Sequence, residues 1–396
     1  MPTADVARLH GWFEEGRLLR PSADVPNSVA LARWLAAACG APDVALDPAS
    51  QPIGDAVGVA DHYVFVLADG LGMNLVNAQP GGSFLRDHAV MTLQAVYPPS
   101  TAPALTSIAT GLWPAQHAAV EWFVYFPARR LTAVLLPFVE RYTKAPLAQL
   151  GLTADEVFPH PSLLNSFLRD VMSYLPQYIA GSTYSQYFSG GAPVAGYQHL
   201  DGACAAIAAR IRSAGRPTYT YLYVPYVDAA EHEHGPASDA VRNVLQHFDH
   251  AMARLDASLP PAARIVITAD HGLTFIEPDR QCLLDDGDEL LDALLAPPAG
   301  EARLPMFHVR EGLRDRFVDT FHRRFTDAWA LLSSDEADEL RLFGPRPLSG
   351  ESRRRIGDFI AIPGGADAIL YRPETPMLGH HGGLTADEML VPLIVA

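Results

Sequence analysis

Three aspartates in this chain stand directly after runs of apolar residues, and three histidines accompany them. Asp69 closes Tyr63-Val64-Phe65-Val66-Leu67-Ala68. Asp228 follows Tyr219 to Val224, with His232 four residues on. Asp270-His271 closes Ile265 to Ala269, and Gly379-His380-His381-Gly382-Gly383 supplies His381. Each alone has a plain structural explanation, because an Asp after a strand often caps a helix or enters a turn. Together they ask for more. Three carboxylates meeting at one edge repel, and burying them costs free energy unless cations neutralise them. Three Asp and three His divide naturally between two divalent ions, and oxygen and imidazole donors without thiolate suit Zn²⁺, Mn²⁺ or Fe²⁺ better than Ca²⁺. Two such ions about 4 Å apart can hold the attacking and leaving oxygens of an in-line displacement.

The nucleophile for such a displacement is expected from Pro98 to Gly111, PPSTAPALTSIATG. Two prolines hold the entry extended, Ser100 and Thr101 are good N-cap types, and Ala102 to Thr110 can run as a helix until Gly111 stops it. A hydroxyl there sits where unpaired backbone N–H groups and the positive end of the helix dipole receive an anion. Thr101 is thus a candidate nucleophile toward a phosphate ester.

The elements that must position these groups alternate between apolar strands and amphipathic helices. Ser28 to Cys39, Asp201 to Ala214 and the stripe Val241, Val244, Leu245, Phe248, Met252, Leu255 and Leu259 read as helices. The apolar runs between them carry no polar alternation, as strands buried on both faces do. The pattern predicts an α/β fold with a largely parallel central sheet flanked by helices, and acids at strand C-termini lie where open α/β sheets bind ligands. Gly70-Leu71-Gly72 lacks the third glycine of a dinucleotide loop and reads as a tight turn. We read 1–396 as one domain, with a small inserted cap over 131–196 and a smaller sub-domain over 277–377. Within the cap, Ser162 to Leu175 is predicted to be an amphipathic helix. In the sub-domain, Gly312 to Phe325 reads as a helix, Ser333 and Glu336 as a capping box, and Phe359 to Ile362 and Ala368 to Tyr371 as strands. The run Arg353-Arg354-Arg355 reads as a solvated turn.

A net charge of −16 argues against a surface that wraps nucleic acid or rests on anionic lipid, so a small anionic substrate needs local help such as metal ions. Cys39, Cys204 and Cys282 form no paired pattern and read as buried thiols of a reducing compartment. The N-terminus lacks the apolar run of a secretory signal, and no segment approaches about 18 apolar residues, so a cytoplasmic protein without a membrane anchor is expected.

With these residues in place, the chain resembles the alkaline phosphatase superfamily, in particular its nucleotide pyrophosphatase/phosphodiesterase-like branch. The resemblance rests on Leu67-Ala68-Asp69-Gly70, Pro98 to Thr101 through Ala109 to Pro114, Asp228-x-x-x-His232-x-x-Gly235-Pro236, Thr268 to Gly272, and His381-Gly382-Gly383 with Val391-Pro392-Leu393. These motifs occur in the family's order and span residues 64 to 395. The resemblance implies an alkaline phosphatase-like core. It also implies two divalent ions, expected to be zinc with manganese or iron as alternatives. Asp69, Thr101, Asp270 and His271 would bind one ion, and Asp228, His232 and His381 the other. Motif spacing favours His232 over His234 and His381 over His380.

Departures narrow the function. The phosphate-binding asparagine of characterised phosphodiesterases has no match in Ala118 to Tyr125, and His117 is followed by Ala118 where the family often has glycine. A threonine at 101 and Leu105 in place of arginine argue against a sulfatase. Two-metal phosphoglycerate mutases use serine and a large inserted domain that this chain has little room for. Between Arg86 and Arg129 there is no cation, but there are Tyr97, Trp113, Trp122, Phe123 and Tyr125. The expectation is therefore a phosphodiesterase or pyrophosphatase acting through a phospho-threonine intermediate on a small phosphorylated substrate, nucleotides included. The rivals are a monoesterase of the same superfamily and a non-catalytic phospho-ligand binder. Oligomeric state has no signature.

Overall fold

A strand with no solvent-facing side needs apolar residues in succession, and His62–Ala68 (β1) provides them: after its first residue every position is buried. In the computed structural model, which describes residues 3–373 and 376–396, β1 is central to a seven-stranded sheet. The other strands are Ala89–Gln94 (β2), Asp170–Pro176 (β3), Val194–Tyr197 (β4), Thr218–Val224 (β5), Ala263–Thr268 (β6) and Leu390–Val395 (β7). Their order is β2-β7-β6-β1-β5-β3-β4. Strands β6, β1, β5, β3 and β4 are parallel, and β7 enters antiparallel between β2 and β6. Leu67 stands opposite both Tyr223 and Thr268, so the chain leaves β1, β5 and β6 at one level of one edge.

The helices Ser28–Ala38 (α1), Thr101–Thr110 (α2), Leu200–Arg212 (α3), Tyr226–His234 (α4) and Asp239–Ser258 (α5) include the predicted amphipathic ones. α1 packs on α2, and α5 packs on α3 and α4. Buried Val241, Leu245, Phe248, Met252 and Leu255 form the inner stripe of α5, and burying each such side chain stabilises by about 1.5–3 kcal/mol. No helix among the described residues is long and apolar enough to cross a membrane.

Residues 131–196 do not stand wholly outside the sheet. They contribute the strands Leu131–Val134 and Val139–Glu140 to a separate three-stranded sheet with Phe123–Phe126, but also β3 and β4. The helix expected over Ser162 to Leu175 is absent: Leu163–Ser166 is one 3₁₀ turn, and the chain then extends into β3. Val171 to Leu175 has apolar spacing that fits either period, and pairing with β5 decides it. Farther on, the strands Ala299–Glu301, Leu304–Phe307, Phe359–Pro363 and Trp329–Ser333 form a four-stranded sheet. Its alternate residues face opposite ways, Met306, Leu332 and Ile360 to the main core, and Phe307, Leu331 and Phe359 to a cluster with Phe317 and Phe321.

Two further expectations are corrected. Arg353 to Arg355 lies in the helix Gly350–Ile356, and Arg355 is fully buried, donating to the carbonyls of Ala118, Glu156 and Val157 beneath the Phe126 ring. The reason is that it ties two separate segments whose three carbonyls would otherwise lack donors. Cys39 and Cys204 are buried, and burial pushes both thiols up to about 12; Cys282 is half-buried beside Arg324.

His117 links α2 to the turn that follows it. Its Nδ1 accepts from the Ala119 N–H at 3.1 Å, so Nε2–H donates to Ser107 Oγ at 2.8 Å. Burial lowers its pKa to about 3. A folded-state pKa below the unfolded value means that the unfolded chain takes up the proton first. Stability should therefore fall as pH drops below about 6.5, by up to about 1.4 kcal/mol per unit until the folded ring itself titrates. Unfolding midpoints of wild type and His117→Gln between pH 7 and pH 4 test this, the variant being expected to show the shallower loss.

Candidate active site

The edge where β1, β5 and β6 end gathers the predicted residues. Gly70, at φ +75°, lets the turn after β1 lie against α4; a Cβ there would stand 2.7 Å from Asp228 Cα. Ser100 occupies the N-cap position of α2 without a capping side-chain bond, and Thr101 is the first helical residue. Thr101 Oγ1 lies 3.2 Å from His271 Nε2. With Nδ1–H of His271 directed at the Gly272 carbonyl 3.3 Å away, Nε2 presents a lone pair to the cluster, 3.6 Å from Asp69 Oδ1 and 3.6 Å from Asp270 Oδ2.

Asp270 Oδ1 accepts from the backbone N–H groups of Gly70 and His271 at 3.2 and 3.0 Å, and Asp69 Oδ2 accepts from the Tyr223 hydroxyl. On the other side, Asp228 Oδ1 is 3.2 Å from His232 Nε2, while His232 Nδ1–H donates to the Gly379 carbonyl at 2.8 Å. The His381 ring stacks on His271 with centroids 3.8 Å apart and lies 5.2 Å from His232. Ligand atoms of Asp69, Asp270 and His271 lie within 4.8 Å of one another, and so do those of Asp228, His271 and His381. All seven residues singled out from the sequence are thus brought together, with His271 within reach of both groups. The alternatives in the two histidine doublets lie elsewhere: His234 is exposed beside Glu233, and His380 Nε2 faces the Met377 carbonyl.

The donor chemistry fits divalent cations. Asp69 Oδ1, Asp228 Oδ1 and Asp270 Oδ2 are buried and have no hydrogen-bond partner, though each faces the cluster. Burial, with repulsion from Asp270 and Asp228, holds the Asp69 carboxyl well above its usual range, and burial raises Asp270 to about 6. Burial also opposes ionisation of Asp228, but the adjacent His232 outweighs it and keeps this carboxyl low. His271 is pushed well down by burial and is a neutral donor. Cations between these oxygens would supply the charge that the protein lacks there.

Other acids were not foreseen. Glu301 Oε2 stands 3.1 Å from His381 Nδ1, and Glu121, fully buried, accepts from the Trp122 N–H at 2.6 Å through Oε2 while Oε1 has no partner. A lone acid in the apolar stretch 118–126 signals Glu121; Glu301 has no local signal. The loop carrying His381 is anchored by Glu388, which accepts from the Gly383 N–H at 2.8 Å and takes two hydrogen bonds from Arg303, both side chains being fully buried.

A cavity of about 670 Å³ opens over the cluster, with Trp122 and Phe123 in its wall. Cations absent from the region around Thr101 in sequence arrive here from elsewhere: Arg141, Lys144 and Arg372 line the same cavity. Arg141 lies 3.9 Å over the Phe123 ring and donates to the Pro298 and Tyr371 carbonyls, and Arg372 pairs with Asp286.

Fold and site together define a hydrolase of the alkaline phosphatase superfamily. The model of the type I phosphodiesterase/nucleotide pyrophosphatase family matches residues 63–384, and the chain belongs to that metal-dependent family of phosphodiesterase- and pyrophosphatase-type hydrolases. Murine ectonucleotide pyrophosphatase/phosphodiesterase 5 shares the fold with a TM-score of 0.64 at 16% identity, over 84% of this chain and 87% of that one. It is also known as an inactive threonine-to-alanine variant in complex with AMP, which matches with a TM-score of 0.64 at 17% identity over the same shares. Phosphonoacetate hydrolase from Sinorhizobium meliloti 1021, in complex with phosphonoformate, matches with a TM-score of 0.60 at 19% identity, over 84% of this chain and 89% of that one. No curated protein matches the sequence.

Proposed function

We propose that the protein hydrolyses phosphodiester or pyrophosphate-type bonds through a covalent phospho-threonine intermediate, with two divalent ions, zinc by preference. The observation that carries this reading is Thr101 at the start of α2, its hydroxyl 3.2 Å from His271 within the acid and imidazole cluster. Asp69, Thr101, Asp270 and His271 would hold one ion, and Asp228, His232 and His381 the other. Bound there, the ions would supply neutralising charge and Lewis-acid polarisation of the phosphoryl oxygens. Thr101 Oγ1 forms a bond to phosphorus as the bond to the leaving oxygen breaks. Water then cleaves the phospho-threonine ester and restores the hydroxyl. The N-terminal N–H groups of α2 face the phosphoryl group throughout. Neighbours known with AMP and with phosphonoformate support a small phosphorylated substrate.

A monoester dianion carries more charge than a diester, and the wall formed by Trp122 and Phe123 offers it little. Arg141, Lys144 and Arg372 favour a substrate with charge beyond the scissile group, as in a pyrophosphate-type bond. The preference is checked by kcat/KM for an aryl phosphate monoester against its methyl and nucleotidyl diesters. The diesters are expected to lead, and a monoester advantage above about tenfold, about 1.4 kcal/mol in transition-state binding, would reject the reading.

A further inference from the structure

A second cavity, of about 520 Å³, opens beside the first, and the two share Trp122, Pro137, Tyr178 and Tyr223. It reaches under the nucleophile: Leu105, one turn along α2 from Thr101, forms part of its wall. Leu136, Leu175, Ile179 and Phe188 continue that wall, and none of the residues lining it is charged. Several of the polar groups present are engaged with neighbours, while the Trp122 indole and the Tyr178 and Tyr221 hydroxyls are the others in the wall. Ser182 Oγ donates to Ser185 Oγ at 2.9 Å, Tyr184 and Thr106 hydroxyls are 3.2 Å apart, and the Tyr223 hydroxyl donates to Asp69. The volume lies within the usual range for a small-molecule pocket.

We propose that this chamber takes a hydrocarbon arm of the substrate, an alkyl or aryl group esterified to the phosphoryl group that Thr101 attacks. A nucleobase would bring several donors and acceptors on its edge into a wall without charge, where only the Trp122 indole and the Tyr178 and Tyr221 hydroxyls could meet them, and each one left unmet would weaken binding. An apolar arm loses nothing there and leaves water. The preferred substrate is then a phosphodiester with one hydrocarbon substituent. This assignment rests on the phosphoryl site at Thr101, and the test keeps the two apart by reading binding as well as turnover.

The metal-loaded protein is titrated calorimetrically with methyl-, butyl- and octylphosphonate and with AMP. Affinity should rise at least about tenfold from methyl to octyl, the order expected for burying a few methylene groups. In Ile179→Trp, which fills the chamber from a half-buried position, the octyl-to-methyl ratio should collapse toward one. Leu136→Trp, also half-buried, should do the same, so one misfolded variant leaves the comparison intact. Equal affinity along the wild-type series would overturn the proposal, and so would AMP binding more tightly than octylphosphonate and weakening in both filled variants. If affinity climbs with chain length while neither methyl nor octyl nitrophenyl phosphate is turned over, the chamber stands and the hydrolase reading falls.

Discussion

Thr101→Ala is expected to lose turnover by about three orders of magnitude or more while the protein stays folded. The substitution removes a hydroxyl and a methyl group at the first turn of α2, and no capping bond goes with them, because none is made by the side chain of Ser100. Stability should change by no more than about 1 kcal/mol. Acid-quenched wild-type enzyme should carry a phospho-threonine detectable by mass spectrometry, and the Ala variant should not. Thr101→Ser keeps an oxygen at the same site and should recover part of the rate. Turnover near wild type in the Ala variant would end the phospho-threonine reading and leave attack by Ser100 or directly by water.

Stripping the metal with a chelator should abolish activity and lower the unfolding midpoint, and zinc should restore both. The pH dependence of the stripped protein gives the sign. Asp270, at about 6 in the folded chain, binds its proton more tightly than in the unfolded chain. That contribution is fully present below the unfolded carboxylate range near 4 and is lost as pH rises through about 6. The gap between loaded and stripped midpoints should therefore widen from pH 4 to pH 7. Asp228→Ala and His381→Ala should each release one ion and keep the other. Two ions retained per chain in both variants would show that the donors are divided differently.

The core and the edge that bears the acids were legible because β1, β5 and β6 are continuous apolar runs whose burial requires a covered parallel sheet. An Asp at each exit was visible for the same reason. Burial of Arg355 was not, because its partners are carbonyls from residues about two hundred positions away. Glu301 and the cavity cations Arg141, Lys144 and Arg372 come from loops and edge strands whose local sequence has no period that aims a side chain. Val171 to Leu175 satisfied two periods at once, and only its partner strand chose between them.

Strand β7 has a consequence for how the molecule comes into being. It lies between β2 and β6, with Val391 opposite Leu93 and Ile394 opposite Ile267, so the sheet closes only when segments some three hundred residues apart meet. Such non-local closure costs chain entropy before any contact rewards it, which makes it a slow event in assembly. The loop bearing His381 runs directly into β7 and is clamped by Glu388 at its threshold. On the ligand sets proposed above, a half-folded chain can therefore present Asp228 and His232 without His381, and uptake of the second ion would mark the completion of folding.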